Sequence, residues 1–278
     1  TSCISWGTQA MMTCLPFSDE DVGVITAAVA QAHDADILRK GLPEGVVLED
    51  WTDKIHCFIV TGPKARDLLA SITEGDLTLP WLSVQYFAKV AGKDVALVRV
   101  SFAGELGWEV HCDRGDAAHI YDALLAGGAK PFGMKALNSL RIEKGYRAWK
   151  GDLSTDYSLL EGGLERFIDW THDFPGKAAL AAEKQHGVKK RFVSLKVEAG
   201  EADAPYMSTL WHDGQVAGET TSGAWGYRVG GSLALGMLRA DLAVPGTQVE
   251  VEIFGDRMKA TVLPDGPAWD AKNERIRA

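Results

Sequence analysis

The sequence predicts an α+β protein that ends in a small closed β unit. Up to about residue 183, helical and strand-like periodicities alternate along the chain. After Lys190, short apolar strands follow one another between glycine- and proline-marked turns. The polar stretch 183–190 separates the two textures, which places one domain at 1–185 and a β-barrel at 186–278.

The elements follow in order. Residues 11–15 and 22–26 read as strands joined by the turn Ser18-Asp19-Glu20-Asp21, and 28–40 as a helix ended by Gly41 and Pro43. Strands are expected at 46–51 and 56–61. Gly62-Pro63 then opens a helix to about Ile72, with proline in the first turn, where its missing N–H costs little. Residues 82–90 and 95–100 form a hairpin around Ala91-Gly92-Lys93-Asp94. A strand at 108–112 precedes a helix over about 116–126, which carries Ile120, Leu124 and Leu125 on one face; another helix covers about 134–144. In the second part, strands are expected at 192–197, 208–212, 215–219, 233–238, 248–253 and 257–262.

Composition narrows the function classes. The 278 residues are 46% hydrophobic and 24% charged, enough for a sizeable core in one or two domains. A net charge of −9 and a pI of about 5.3 argue against an electrostatic nucleic-acid binder. No apolar run has the length of a membrane span, and the opening T-S-C-I-S-W-G lacks the pattern of a signal peptide. Cys3, Cys14, Cys57 and Cys112 are dispersed and form no C-x-x-C pair, which fits a reducing compartment: the cytoplasm, or the mitochondrial matrix in a eukaryote. His111 and Cys112 are adjacent in a strand and so face opposite ways, and no metal site is expected there. Gly7 to Met12 leads straight into strand-like residues, as though an earlier lobe preceded it.

The most informative segment is S-F-A-G-E-L-G-W-E at 101–109. A strand ends, breaks at Gly104, carries Glu105 on the turn and re-enters a strand through Gly107. Glycine permits close backbone approach, Trp108 has an aromatic face, and the Glu109 carboxylate can accept two parallel N–H bonds. Two readings fit: a site for a flat, donor-rich heterocycle, or a strand–bulge–strand whose Glu109 meets an arginine of the same lobe.

Further pieces extend the pattern: G-P-K-A-R-D-L-L at 62–69, A-L-N-S-L-R-I-E-K-G-Y-R-A-W at 136–149, L-E-G-G-L at 160–164, D-F-P-G-K-A-A-L at 173–180, T-T-S-G at 220–223 and the tail L-P-D-G-P-A-W-D-A-K-N-E-R-I-R. In this order, and over nearly the whole chain, the sequence resembles the glycine-cleavage T-protein (aminomethyltransferase) superfamily. More narrowly, it is similar to the folate-binding C-terminal region of dimethylglycine and sarcosine dehydrogenases. The resemblance implies a three-lobed fold with a small C-terminal β-barrel, its first lobe incomplete, and a central pocket for tetrahydrofolate. Glu109 matches the family glutamate that grips the pterin's amino group and ring N–H. Glu105 and Trp108 lie on the same turn and would shape the pocket. Arg141 and Glu143 match the family's R-x-E, on different sides of a helix, where structural pairing and ligand contact both remain open. Trp149 and Glu161 match positions near the folate site.

Three departures qualify the resemblance. Phe102 stands where T-proteins carry the tyrosine of Y-T-G-E, so the ring is kept and the hydroxyl lost. Leu137 replaces an arginine, as in the dehydrogenase-type members. Ala10 and Met11 stand where T-proteins carry the acids of G-G-x-x-D-D, and neither can take a proton or accept a hydrogen bond as a carboxylate does.

The resemblance implies tetrahydrofolate-dependent one-carbon transfer from a small methylated amine, oxidised to an iminium by a flavin-dependent amine dehydrogenase or oxidase partner. The chain itself holds no G-x-G-x-x-G fingerprint for a flavin. No catalytic residue is assigned. Two alternatives stand beside this reading: a folate-binding or assembly module without chemistry, favoured by Ala10 and Met11, and a folate-dependent demethylase of a sulfonium or other methylated donor. The K-G-C-Y branch that serves iron–sulfur assembly is disfavoured, because Lys144-Gly145-Tyr146 lacks the cysteine.

Overall fold

Two antiparallel strands, β1 (Thr13–Pro16) and β2 (Val22–Ile25), open the computed structural model, with Thr13 opposite Ile25. The structure describes residues 13–16 and 21–278, so the expectations placed on Gly7, Ala10 and Met11 lie outside the described residues. A 3-10 turn at Ala28–Ala30 leads into α1 (Gln31–Gly41), where buried Asp34 accepts from Thr26 Oγ1 and pairs with His33 Nδ1 at 2.8 Å. The chain divides into two compact units. One holds the residues up to Pro43 together with Arg141–Trp269; the other holds Glu44–Leu140 with Asp270–Ala278.

The second of these units is built on a five-stranded antiparallel sheet. Along the chain come β3 (Ile55–Thr61), α2 (Ala65–Ala70), β4 (Thr73–Glu74), β5 (Val84–Val90), β6 (Lys93–Val98) and β7 (Gly107–Asp113), and the spatial order is β3-β7-β6-β5-β4. Then follow α3 (Ala117–Ala126) and α4 (Met134–Glu143), the latter crossing the sequence boundary between the units. Strand alternation sends Trp108, Val110 and Cys112 of β7 into a core with Leu69, Val90, Leu97 and Ile120. The β5–β6 hairpin turns on Ala91 and Gly92, both left-handed (φ 50° and 77°), the twist that a two-residue hairpin requires.

Residues 46–51 form no strand. Val46 and Val47 are exposed, so this apolar run has no sheet to join. β6 ends at Val98, two residues short of the expected end, because the chain leaves the sheet to begin the 101–106 turn.

In the other unit, α5 (Lys177–His186) starts at left-handed Gly176 (φ 89°) and ends at Gly187, with Lys184 and His186 in its last turn. This helix includes the polar residues read as a boundary; it also carries the A-A-L of the family-like segment. The barrel follows: β8 (Lys190–Val197), β9 (Thr209–His212), β10 (Gln215–Gly226), β11 (Gly231–Arg239), β12 (Gln248–Ile253) and β13 (Asp256–Val262), closed in the order β10-β11-β8-β13-β12-β9. Val193, Leu195, Leu210, Val251, Ala260 and Val262 are among its interior residues. β10 runs seven residues beyond its expected end at Glu219, bending through register shifts at Val216/Gly218 and Thr220/Ser222. A short helix, α6 (Glu274–Arg277), belongs to the unit of the five-stranded sheet.

Candidate functional site

Four of the residues singled out from the sequence sit together around the start of β7. Gly104 is left-handed (φ 74°), which lets the 101–106 turn fold back before Gly107 enters the sheet. A Cβ at Gly107 would lie 3.0 Å from Val60 O and Thr61 Oγ1, so the strand sits close against β3 there. Thr61 Oγ1 anchors the turn, donating to Leu106 O at 3.2 Å and lying 3.1 Å from Ser101 Oγ. Phe102 and Glu105 are both half-buried, and Glu105 Oε2 accepts from Arg275 Nε at 3.3 Å.

Trp108 and Glu109 point to opposite faces of the sheet. Trp108 is fully buried, with the Arg99 guanidinium 4.6 Å from its ring centroid and that of Arg66 at 5.6 Å. Its face is therefore taken by the chain's own cations, and it supports the strand from beneath. Glu109 lies on the open face, its side chain 24% exposed, and its Oε2 is 3.0 Å from His111 Nε2. The protein partner of Glu109 is thus a histidine of its own strand, where one of the two sequence readings expected an arginine. Cys57 stands directly across from His111 in β3, with Sγ 3.6 Å from the same Nε2. Desolvation, reinforced by Glu109 and Cys112, pushes the Cys57 thiol up.

Sequence reasoning missed Cys57 and His111. The only local signal was E-V-H, whose i, i+2 spacing puts both side chains on one strand face.

Arg141, Trp149 and Glu161 belong to the other unit. Arg141 is buried and committed to protein partners: Asp152 Oδ2 at 2.6 Å, Ser222 Oγ at 2.6 Å and Tyr146 O at 2.8 Å. Asp152 Oδ1 also accepts from Thr221 Oγ1 at 2.5 Å and Ser222 Oγ at 2.8 Å. The R-x-E helix and the T-T-S-G strand therefore meet through one buried carboxylate that the sequence pattern did not single out. Glu143, fully buried, instead takes Arg228, accepting from its backbone N–H at 2.6 Å and from its Nε. Arg228 in turn stacks 3.7 Å from the Trp269 ring centroid.

Trp149 is half-buried with the His33 ring 6.4 Å away, and it bridges to Leu153. Glu161 accepts backbone N–H bonds from Ser158 (3.1 Å) and Lys190 (3.3 Å), tying the 158–161 loop to the start of β8. Arg147 lies 4.0 Å from the Phe192 ring centroid and donates to Gly162 O at 2.7 Å; burial, offset in part by Asp265, brings its guanidinium down to about 10.

The comparisons with known proteins agree with this architecture. The GCVT N-terminal domain matches residues 7–172 and the glycine cleavage T-protein C-terminal barrel domain matches residues 190–270. The chain belongs to the glycine cleavage T-protein (aminomethyltransferase) family. It is 35% identical over 254 residues to mitochondrial dimethylglycine dehydrogenase of Mus musculus, covering 87% of this chain and 29% of that protein. It is 32% identical over 246 residues to an aminomethyltransferase of Saccharopolyspora erythraea, covering 84% of this chain and 67% of that one. The fold is that of the glycine cleavage system aminomethyltransferase T from Bartonella henselae, with a TM-score of 0.81 at 22% identity over 93% of this chain and 72% of that one. The chain thus spans less than a third of the dehydrogenase that it matches. Among the described residues no helix is long and apolar enough to cross a membrane.

Proposed function

We propose that the chain binds tetrahydrofolate and acts in one-carbon transfer of the aminomethyltransferase or demethylase type. The observation that carries this reading is the Glu109 carboxylate: it sits on the open sheet face beside a glycine-flanked turn, and among the described residues its Oε1 has no protein partner. Two parallel N–H donors on a pterin edge suit such a carboxylate, so the residues present fit the group. His111 holds Oε2 from the side and orients the carboxylate plane. Phe102 and Glu105 shape the turn next to it. Trp108 acts from below, through the rigidity of the core to which it belongs. Trp149, Arg141 and Glu161 belong to the other unit, where Arg141 and Glu161 serve by holding their own loops, since both are bonded to the protein.

Tetrahydrofolate, when bound, supplies the nucleophilic nitrogen that takes up the one-carbon unit. The chain's own contribution is to bind, orient and exclude water, which can lower a barrier by several kcal/mol without a strong base. The names of the relatives, dimethylglycine and sarcosine dehydrogenases, support a small methylated amine as donor and a dehydrogenase, in the same or a partner chain, as its oxidant, for which the family resemblance implies a flavin. Their mitochondrial location supports the matrix, or the cytoplasm of a prokaryote, as the compartment. A folate-binding module without chemistry is the second reading, and Ala10 and Met11 at the acidic positions favour it.

Glu109→Ala removes both acceptors. With hydrogen bonds to a charged group worth about 1.5–3 kcal/mol each, tetrahydrofolate affinity should fall by about 100-fold or more in calorimetry while the circular dichroism stays unchanged. Undiminished affinity would overturn the pterin assignment. Turnover of a methylated amine with tetrahydrofolate and an oxidising partner separates the two readings; saturating folate without product leaves the binding module.

A further inference from the structure

Cys57, Glu109 and His111 bring three kinds of metal-ligating atom to one patch of the sheet's open face, all within 4.8 Å of one another. The placement follows from strand geometry. Glu109 and His111 are two apart in β7 and share a face, and Cys57 is the direct cross-strand partner of His111 in β3. Zinc bonds of about 2.3 Å to sulfur and about 2.0 Å to nitrogen, meeting at a tetrahedral angle, put those atoms about 3.5 Å apart. Cys57 Sγ and His111 Nε2 are 3.6 Å apart; Glu109 Oε2 and His111 Nε2, at 3.0 Å, need to open by only a few tenths of an ångström.

We propose that Cys57, Glu109 and His111 form a divalent-cation site of zinc type, with three protein ligands and a fourth position open to solvent. Thiolate, imidazole and carboxylate together suit zinc, and the harder cations calcium and magnesium prefer all-oxygen sets. Binding releases the Cys57 proton to solvent; the His111 ring proton moves from Nε2 to Nδ1 by exchange with solvent, so that the freed Nε2 lone pair meets the ion, which replaces the hydrogen bond to Glu109 as what joins the three side chains. Because it occupies Glu109, such an ion competes with the pterin. That consequence rests on the assignment of Glu109 to tetrahydrofolate, whereas the metal site does not.

The test uses the full chain, reduced and stripped with a chelator, and titrated with Co²⁺ and then Zn²⁺. The expected result is a near-ultraviolet thiolate-to-cobalt charge-transfer band that zinc abolishes. Cys57→Ser should lose the band and at least about tenfold in zinc affinity, since even the loss of a ligand's supporting partner costs that much. Circular dichroism checks that the substitution keeps the fold, with Cys57→Ala as a second variant. Absence of the band in the unmodified chain, or its persistence in both variants, overturns the site. A second arm measures tetrahydrofolate binding with and without zinc. Zinc should weaken it in the unmodified chain and leave it unchanged in Cys57→Ser. Simultaneous tight binding of both ligands overturns the competition, and a cobalt band with no folate binding at all overturns the folate reading while supporting the metal site.

Discussion

Arg141 illustrates how a family-like residue can be functional in appearance and structural in use. The residue is 4% exposed, and its guanidinium donates to Asp152, Ser222 and the Tyr146 carbonyl. Asp152 is fully buried and relies on that cation, on two hydroxyls and on the Ala148 N–H at 2.8 Å. Replacing Arg141 with leucine strands a carboxylate in the interior, which typically costs about 3–5 kcal/mol. Chemical denaturation should show a loss of that size, and a variant within about 1 kcal/mol of the unmodified chain would contradict the assignment. From the sequence, R-x-E left ligand contact and structural pairing open, because a residue's partner across 81 positions is not written in its own helix.

Among the elements, β10 is the most constrained by backbone proximity. A Cβ at Gly223 would stand 2.1 Å from Ala204 O, and one at Gly218 would stand 2.0 Å from Met237 O. These glycines let the strand pass against its neighbours where it curves to close the barrel. Gly223→Ala should therefore destabilise by about 1–3 kcal/mol or more, read as a lower thermal midpoint. An unchanged midpoint would mean that the strand relaxes freely at its bulge. The barrel strands were largely legible because their apolar alternation and turn residues are local signals; the extension of β10 to Gly226 was not, since T-T-S-G-A-W reads as a polar loop until its pairing with β11 is known. Residues 46–51 show the converse: strand-like composition without a neighbouring edge to pair with.

At the scale of the whole molecule, the compact units are discontinuous in sequence, and Asp270–Ala278 belongs with Glu44–Leu140. The reason lies in Arg99, which is 1% exposed and donates to Ile276 O at 3.1 Å and Ala278 O at 2.9 Å, while Arg66 donates to Ala278 O at 2.8 Å. Removing residues 270–278 leaves Arg99 with Gly107 O as its one hydrogen-bond acceptor among the described residues. That unit should lose about 2–3 kcal/mol, the cost of stranding hydrogen bonds to a buried charge, seen as earlier unfolding in hydrogen exchange of β6 and β7. Equal protection with and without the tail would refute this role.

The sequence by itself determined the α+β class, the closed barrel at the end of the chain and the family, because these depend on local periodicity, turn chemistry and motif order. It read Trp108 and Glu109 as parts of one pocket, whereas strand alternation sends them to opposite faces of the sheet, Trp108 into the core and Glu109 away from it. Tertiary structure alone decided which residues share that face. The β3–β7 register brings Cys57 to His111 across 54 positions, and the packing of Arg99 on Trp108 closes one side of the strand to any ligand. Register and packing are set by global burial, which no short window of residues contains.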